Sequence, residues 1–588
     1  MELRDELGVH LDTSTLVAAM EITRENPQRH GIAWTAIVVA LTGITALILH
    51  WHRLIGDLVF SNSDLRVHFR WAAEFVAGVH NGDPYPRWMS LSNQGLGEPA
   101  LLFYSPLYYY VTALVSWITH DTWTAMKVVE FAAIWATGLF TYAALRRFCP
   151  GGWSLGGAVF MQAAPMTFML FHFFNGLPWA LSFSAAMAAV SFSLRGIPKR
   201  FIDAPLAVAL GAVVATHTLS GLMTLICLPF VNVRHVIDRS GHIDWLRPVL
   251  VWGVSACLGL GLTMAYLYPA LQARSLIMSE AWTTDYTYYN AFIFSTVTYF
   301  LYGMRWITFQ WPLPLVLVGS VVVVSWYLLE TRHARDERWT ALAGLATAGW
   351  VSIFLCTELS YPLWALPSPL RLVQYPHRFL YITTAVGILA NVVCVWRMSR
   401  EGYTRKAVWL AALPLIASFT MTAAMYVKFT AFDGRPSGLR QAVVEPHQGL
   451  PEYVTRTAGP DWDRYVRDGG LKAECASKNA RCSEDKSVGR TRRWSIDAER
   501  STTLRLPVFA FPAWSLTRDG NPVPSGIDKA TGLIAVDVPV GRHELSLTWE
   551  GLPSERVGVV LSAVSLALLV VLLIVERLKG KSSAHLER

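Results

Sequence analysis

Charged residues are scarce in this chain of 588 residues. Asp, Glu, Lys and Arg together supply 16% of the residues, whereas hydrophobic residues supply 53%. Soluble domains usually carry about a quarter charged residues, so this composition argues against a soluble protein. The net charge of +8 sits largely in short loops between apolar runs. It therefore indicates membrane orientation and not a nucleic-acid-binding surface.

The cysteine pattern lacks a zinc-type CxxC pair, and no cleavable signal peptide or lipidation motif is evident. Five of the seven cysteines lie in or beside apolar runs, where they behave as small hydrophobic residues. Cys475 and Cys482 differ because they lie in a polar segment rich in Lys and Arg. They predict a disulfide if this segment is outside the cytosol, and two unrelated thiols are the alternative.

Long apolar runs dominate what is present. About twelve of them, and one doubtful case, approach the ~20 residues needed to cross a bilayer. We therefore predict an all-α polytopic membrane bundle of about 12–13 transmembrane helices. Its parts would be a cytosolic leader (1–30), a membrane domain (31–427) with a first outer loop (51–103), and a final span with a cytosolic tail (556–588).

A polar region interrupts the apolar runs between residues 428 and 555. From about residue 490 it alternates polar and apolar residues, as in Leu533-Ile-Ala-Val-Asp-Val538, and turn signals such as Asp519-Gly520 separate the runs. Such a pattern predicts a small antiparallel β-sandwich. Spans on both sides would hold this domain on the outer face of the bundle.

The Lys and Arg residues predict the orientation. Basic loops, among them Arg195–Arg200 and Arg332–Arg338, fall on one side, which should be the cytosol. This orientation fails if the leader is cytosolic and both 32–50 and 104–118 cross the membrane, because Arg146 and Arg147 would then lie outside. Either the leader lies outside, or 104–118 is a re-entrant or interfacial helix. The second solution is preferred because the segment is short and rich in tyrosine.

The first outer loop carries the main candidate for chemistry. Asp64 and His68 are four residues apart and would share one face of a helix, and Arg87 follows in a Pro-rich turn. A solvated loop carboxylate is the plainer interpretation of Asp64. However, the prolines and glycines of the loop indicate a folded segment that holds side chains in place.

Two distant polar segments should reach the same face. His217 lies between two short apolar runs and is otherwise a packed turn residue. Gln374, His377 and Arg378 stand at the start of a later span. The planar guanidinium of arginine suits phosphate, so Arg378 is a candidate ligand of a substrate phosphate; a structural salt bridge or an interfacial anchor is the alternative.

These motifs, taken in order, resemble one family. Asp64 after the first span, Tyr85-Pro-Arg-Trp88, Gly95-Leu-Gly97, Phe103-Tyr-Ser-Pro-Leu-Tyr-Tyr109 and Gln374-Tyr-Pro-His-Arg-Phe-Leu380 are similar to the bacterial 6-pyruvoyl-tetrahydropterin-synthase-related membrane proteins. Those proteins look like GT-C glycosyltransferases. The segment from Phe509 to His543 is similar to the outer β-domain of related lipoteichoic-acid and polysaccharide glycosylating proteins.

The resemblance implies a polyprenyl-phosphate sugar as donor and a glycan or lipid of the cell envelope as acceptor. Asp64 would be the catalytic base, and His68, Arg87, His217, Gln374, His377 and Arg378 would bind substrate. The location would be the bacterial inner membrane, with the active site facing the periplasm. Some GT-C enzymes carry a second acidic residue, often with a metal, but the corresponding loop Phe171–Pro178 has no carboxylate. No cofactor is therefore expected to be required, and a divalent metal is the unsupported alternative.

Two alternatives remain at this point. A polymerase or ligase of lipid-linked polysaccharide would use the same fold and a similar donor. A transporter or flippase of lipid-linked intermediates belongs to another class, and it would predict charged or broken segments near the bilayer midplane in two symmetric halves. No such repeat is evident in the sequence.

Overall fold

The computed structural model describes residues 27–59, 64–195, 202–235, 246–281, 292–294, 312–333, 336–439, 445–459, 462–467, 475, 479–485 and 490–586. The predicted cytosolic leader, up to residue 26, lies outside these ranges.

Helices make up most of the described chain. Seven of the described helices are long and apolar enough to cross a membrane, the number rises to nine if each of two bent pairs is one span, and three shorter apolar helices accompany them. These segments agree with the predicted bundle, and the chain is a multi-pass membrane protein. In chain order the helices are α1 (Pro27–Leu54), α2 (Leu65–His80), α3 (Ala100–Phe103), α4 (Leu107–Thr119), α5 (Thr122–Leu145), α6 (Gly151–Gln162), α7 (Pro165–Phe168), α8 (Leu177–Ser193), α9 (Ala204–Thr216), α10 (Thr218–Cys227), α11 (Leu246–Leu262), α12 (Met264–Gln272), α13 (Pro312–Glu330), α14 (Glu337–Cys356), α15 (Tyr361–Ala365), α16 (Leu380–Arg400), α17 (Arg405–Lys428), α18 (Trp462–Arg467) and α19 (Pro553–Leu586).

Helices α1 and α5 lie side by side and run in opposite directions. Near the start of α1, the Trp34 indole donates to the Tyr142 hydroxyl over 2.8 Å. Just beyond the end of α1, the Asp57 carboxylate accepts from the Trp123 indole over 2.5 Å. The end of α1 and the start of α5 therefore lie at the same end of the bundle. Because α4 lies between them in the chain, it does not carry the chain across, which agrees with the re-entrant or interfacial helix predicted for 104–118.

The β-rich region forms two antiparallel sheets. The larger has the order β3-β4-β10-β6-β7 and the smaller the order β5-β9-β8. Their strands are β3 (Ala480–Glu484), β4 (Thr491–Ala498), β5 (Thr502–Phe509), β6 (Trp514–Arg518), β7 (Asn521–Pro522), β8 (Gly526–Ile527), β9 (Leu533–Val538) and β10 (Gly541–Trp549), and β1 (Leu58–Val59) pairs with β2 (Arg435–Pro436) elsewhere. Trp494 and Leu545 of the larger sheet and Leu504 of the smaller one are buried in one core. The predicted β-sandwich is confirmed, with strands beginning earlier than the expected residue 490.

The β-sandwich rests on the first loop. The backbone N–H of Phe509 donates to the Leu96 carbonyl over 3.0 Å, and the Trp88 ring packs between Trp514 and Trp549 at centroid distances of 5.3 and 5.7 Å. The sandwich, the first loop and the adjoining ends of α1 and α5 therefore share one end of the bundle. That end is called the sandwich end below.

Candidate active site

Asp64 stands at the start of α2, an amphipathic helix of the first loop. Leu65, Phe69 and Ala72 recur at helical spacing and are buried, which fixes α2 against the rest of the loop. Asp64 occupies the N-cap position, but its side chain makes no capping hydrogen bond. Within the described part of the chain its carboxylate has neither a hydrogen bond nor an ion pair. It is exposed, so it is available to a substrate.

The surroundings of Asp64 make it a better base. Desolvation by the protein around it raises the pKa of Asp64, although one side stays open to solvent, and the nearby Arg378 guanidinium offsets part of that rise. Burial also raises the pKa of Glu452, and the charge of Asp64 adds to that effect. A carboxylate with a raised pKa holds a proton more tightly, which favours general-base catalysis.

Arg378 lies in a short helical turn just before α16. Its Nη1 donates to the Val373 carbonyl and to Gln374 Oε1, both over 2.9 Å. Gln374 has a φ of 65° and a ψ of −55°, and the Tyr375 N–H reaches the Val373 carbonyl over 2.7 Å. This is a γ-turn of the rare strained form, a conformation that concentrates at functional sites. The guanidinium also stacks over the rings of Tyr375 and Trp179, at 4.8 and 5.6 Å.

Two histidines, His217 and His68, lie near Asp64 and Arg378, and these four residues are called the Asp64 group below. His217 caps α10, where its Nδ1 accepts the Ser220 N–H over 3.2 Å. In the neutral imidazole the proton then lies on Nε2, which leaves a donor for a ligand. The ring of His217 stacks on Trp179 with centroids 5.9 Å apart. His68 is buried, and its Nδ1 lies 2.9 Å from the Tyr109 hydroxyl.

A cavity of about 160 Å³ lies beside this group. Its polar wall includes Tyr104, His217, Glu452 and Tyr453, whereas other parts of its lining are apolar. Tyr104 lies close enough to both Asp64 and Arg378 for their charges to affect the pKa of its hydroxyl, which burial raises. Asp64, Arg378 and His217 therefore meet at one place at the sandwich end.

Glu452 arrives from the connector between α17 and the β-sandwich, residues 445–459. The connector is held on both sides: the Gln94 N–H donates to the His447 carbonyl over 2.8 Å, and the Met278 N–H donates to the Val454 carbonyl over 2.9 Å. Among the described residues, the Glu452 carboxylate has no ion-pair partner, and the hydrogen bond recorded for it comes from its own backbone N–H. A carboxylate placed in a cavity wall by a fixed segment suits the binding of a ligand.

Arg87 and His377, two of the predicted substrate ligands, do not line this cavity. Arg87 is buried and its Nε pairs with the Glu555 carboxylate of α19 over 2.9 Å, while its Nη2 donates to the Ala265 carbonyl over 3.1 Å. These contacts join the first loop to α12 and α19, and they do not bring Arg87 into the Asp64 group. The ring of His377 packs on Tyr375 at 5.3 Å. It therefore neighbours the Arg378 turn.

Cys475 and Cys482 form a disulfide bond, which is the pairing that the sequence predicts. Cys482 belongs to β3 at the edge of the larger sheet. The bond ties this edge strand to the chain that precedes it, away from the Asp64 group.

A buried polar cluster escaped the sequence analysis. Arg53, at the end of α1, pairs with Glu130 of α5 over 2.6 Å and donates to the Phe171 carbonyl over 3.0 Å. It also donates to the side chain of Asn175. Charges within apolar runs are costly and usually paired, so Lys127 and Glu130 in the mostly apolar α5 were the available signal.

Asn175, the amide of the loop that lacks a carboxylate, is thus engaged by Arg53. Within the described ranges, no group of three or more His, Cys, Asp or Glu side chains is placed to hold a metal ion. The expectation that no cofactor is required stays a prediction.

A wholly apolar groove of about 690 Å³ runs along the bundle between α4, α5, α8, α9 and α19. Leu107, Phe140, Leu181 and Leu569 contribute to its lining. It also includes Thr216, the residue before His217. The groove therefore reaches the candidate site at one of its ends.

No protein family profile and no curated protein sequence matches this chain. Among solved structures, it is similar to the oligosaccharyltransferase of Archaeoglobus fulgidus tethered with an acceptor peptide, with 12% identity and a TM-score of 0.41 over 69% of this chain and 56% of that one. It is similar to ArnT from Cupriavidus metallidurans bound to undecaprenyl phosphate, with 14% identity and a TM-score of 0.36 over 68% and 76%. The third is the arabinofuranosyltransferase AftD from mycobacteria, with 12% identity and a TM-score of 0.44 over 87% and 40%.

The chain spans less than two thirds of the oligosaccharyltransferase and of AftD. At these identities and scores the likenesses assign no residue and no activity to this chain. The resemblance to the 6-pyruvoyl-tetrahydropterin-synthase-related proteins also stays a prediction.

Proposed function

We propose that this chain is a membrane glycosyltransferase of the GT-C type that transfers a sugar from a polyprenyl-phosphate donor to an acceptor hydroxyl. One observation carries the proposal: Asp64, a carboxylate with a raised pKa and no ion pair among the described residues, lies close enough to the Arg378 guanidinium for that charge to act on it, at the sandwich end of an apolar bundle. Base and cation are the two charges that transfer from a lipid phosphate needs.

The reaction follows from these charges. Asp64 takes the proton of the acceptor hydroxyl while the hydroxyl oxygen bonds to the anomeric carbon of the donor sugar. The bond from that carbon to the phosphate oxygen breaks, and the electron pair leaves with the lipid phosphate. Arg378, and the Nε2–H of His217, stabilise the developing negative charge. A single displacement inverts the anomeric carbon.

The apolar groove offers a place for the isoprenoid chain of the donor. Its lining exposes apolar surface only, and it ends next to His217, so a chain lying in it would present its phosphate to the histidine and to Arg378. The sandwich end would face the periplasm, as the basic loops predict.

The test uses purified protein in lipid nanodiscs with a panel of labelled polyprenyl-phosphate sugars and envelope glycans or glycolipids. We expect Asp64→Asn to lower turnover by about 10²–10⁴-fold, the usual contribution of a general base. Asp497→Asn, which removes an exposed carboxylate from β4, is the matched control and should keep full turnover.

Arg378→Gln should weaken binding of undecaprenyl phosphate, whereas Arg332→Gln, an exposed arginine just beyond the far end of α13, should not. Wild-type turnover by folded Asp64→Asn would refute the assignment of the base. Movement of the lipid across sealed vesicles without a new glycosidic bond would favour a transporter instead.

A further inference from the structure

The cavity beside Asp64 has two unlike walls. Its polar wall carries Glu452 and the hydroxyls of Tyr104 and Tyr453, whereas α12 supplies an apolar wall through Leu267, Ala270 and Leu271. Leu271 is 59% exposed, so this wall continues onto the surface of the bundle. A purely hydrophilic ligand would leave the wall unused.

Helix α12 packs against α19, the last apolar helix long enough to cross a membrane. It is bent by 76° from α11 and packs across the first turns of α19. Ser562 of α19 accepts the Ala265 N–H over 2.8 Å, and a Cβ on Gly558 would meet the Met264 carbonyl at 2.4 Å. At 1.5 Å per residue, these contacts lie roughly 8–14 Å from the start of α19. Gly558 and Ser562 belong to the apolar stretch Pro553–Val575, which is long enough to cross a membrane, so the exposed face of α12 lies beside this span.

The cavity is separate from the apolar groove. Between them, the Ser105 hydroxyl lies 2.8 Å from the Thr218 hydroxyl, which lies 2.9 Å from the Tyr266 hydroxyl. Ser105 also accepts the Thr218 N–H over 3.0 Å. The three hydroxyls satisfy one another and join the start of α10 to α12, so they form a fixed partition. The structure has two recesses that reach the same site.

We propose that the cavity binds the acceptor, and that the acceptor is a lipid-anchored glycan that enters from the bilayer over α12. This inference rests on the proposed function, which assigns the groove and Arg378 to the donor. Glu452 would accept hydrogen bonds from sugar hydroxyls beside Asp64, and Arg274, whose Nε lies 3.4 Å from the Ser279 hydroxyl, could donate to them from the same lining. Leu267 and Leu271 would contact the apolar anchor.

The probes are pairs of glycosides that share a sugar and differ in the aglycone. Methyl and dodecyl glycosides of glucose, galactose, mannose and N-acetylglucosamine are bound to the full chain in nanodiscs prepared without alkyl glycoside detergent. We expect at least one dodecyl glycoside to bind about tenfold more tightly than its methyl partner, because burying methylene groups is favourable. If no dodecyl glycoside exceeds its methyl partner, the proposal is overturned.

Variants then separate the cavity from the bulk lipid. Leu267→Ser/Leu271→Ser should weaken dodecyl glycoside binding about tenfold and leave methyl glycoside and undecaprenyl phosphate binding within about twofold, since the wall contacts only the anchor. Leu114→Ser on α4 is the control, because Leu114 is also 59% exposed and lies away from the cavity. Glu452→Gln should weaken both glycosides by the same factor.

Two results would contradict the assignment. Loss of undecaprenyl phosphate binding in the Leu267→Ser/Leu271→Ser variant would give the wall to the donor. Unchanged glycoside binding in Glu452→Gln would remove the carboxylate from the sugar site. Failure of the proposed function itself would appear elsewhere, as undecaprenyl phosphate binding that does not respond to Arg378→Gln.

Discussion

Two buried carboxyl groups of the first loop should make the stability of the sandwich end depend on pH. Glu98 is fully buried, and burial is the main cause that raises its pKa to about 8. Glu74 lies nearby, and burial raises its pKa to about 7. Glu98 also faces the connector, because a Cβ on Gly449 would lie 2.3 Å from Glu98 Oε2. Ionisation of these groups therefore acts where the connector joins the first loop.

The sign and size follow from linkage. In the unfolded chain both groups would titrate near 4.5, so between pH 4.5 and 8 the folded protein holds more protons and its stability falls as pH rises. A shift from 4.5 to about 8 corresponds to roughly 5 kcal/mol for Glu98, and one to about 7 to roughly 3 kcal/mol for Glu74. The stabilisation is fully present below pH 4.5 and is lost above pH 8.

Thermal unfolding of the nanodisc-embedded protein, followed from pH 5 to pH 9, measures this effect. Wild type should lose stability steadily over that range, and Glu98→Gln, which keeps the shape of the neutral acid, should flatten the upper part of the curve. Glu484→Gln, an exposed position on β3, is the control. A wild-type unfolding temperature that stays constant over that range, or a Glu98→Gln curve that matches wild type, would refute the reasoning.

The remaining predictions concern three other contacts. Replacing Arg53 or Glu130 singly by Met should cost about 3–5 kcal/mol of stability, because each change leaves the other charge buried without its partner. The double Met variant should lose less stability than the sum of the two single variants. A double-mutant cycle measured by thermal unfolding checks this. Trp179→Leu should raise the donor KM several-fold by freeing the guanidinium that stacks on this ring, and Trp179→Phe should restore most of the binding; equal KM values in both variants would contradict this. Cys475 and Cys482 should resist alkylation until the purified protein is reduced, and mass spectrometry that finds both thiols free beforehand would contradict the disulfide.

Local sequence patterns were sufficient to predict much of the fold. Apolar run lengths predicted the bundle, and period-two alternation predicted the β-sandwich. Charge counting predicted that the segment now seen as α4 does not cross, and the contact between Trp123 and Asp57 agrees. Each of these inferences depends on composition over a short window, which the sequence displays directly.

The candidate site was only partly predictable. Asp64 was found from its position after the first span, and Arg378 from its place at the start of another. Glu452 belongs to no motif, and Trp179 looks like an ordinary core residue of an apolar helix. Arg87 was predicted to bind substrate because the sequence does not reveal its partner. That partner, Glu555, lies near the opposite end of the chain. Contacts between such distant positions leave no periodic signal.

Because Arg87 pairs with Glu555, the first loop cannot reach its final structure until the last part of the chain has been synthesised. At about 5–20 residues per second, Glu555 leaves the ribosome roughly 20–100 s after Arg87. Until then a buried guanidinium lacks its carboxylate, and α12 lacks the serine of α19 that accepts its Ala265 N–H. A nascent chain therefore cannot fix α12, which forms one wall of the cavity, before α19 is made, and a chain truncated before α19 leaves the Arg87 guanidinium and the Ala265 N–H without these partners.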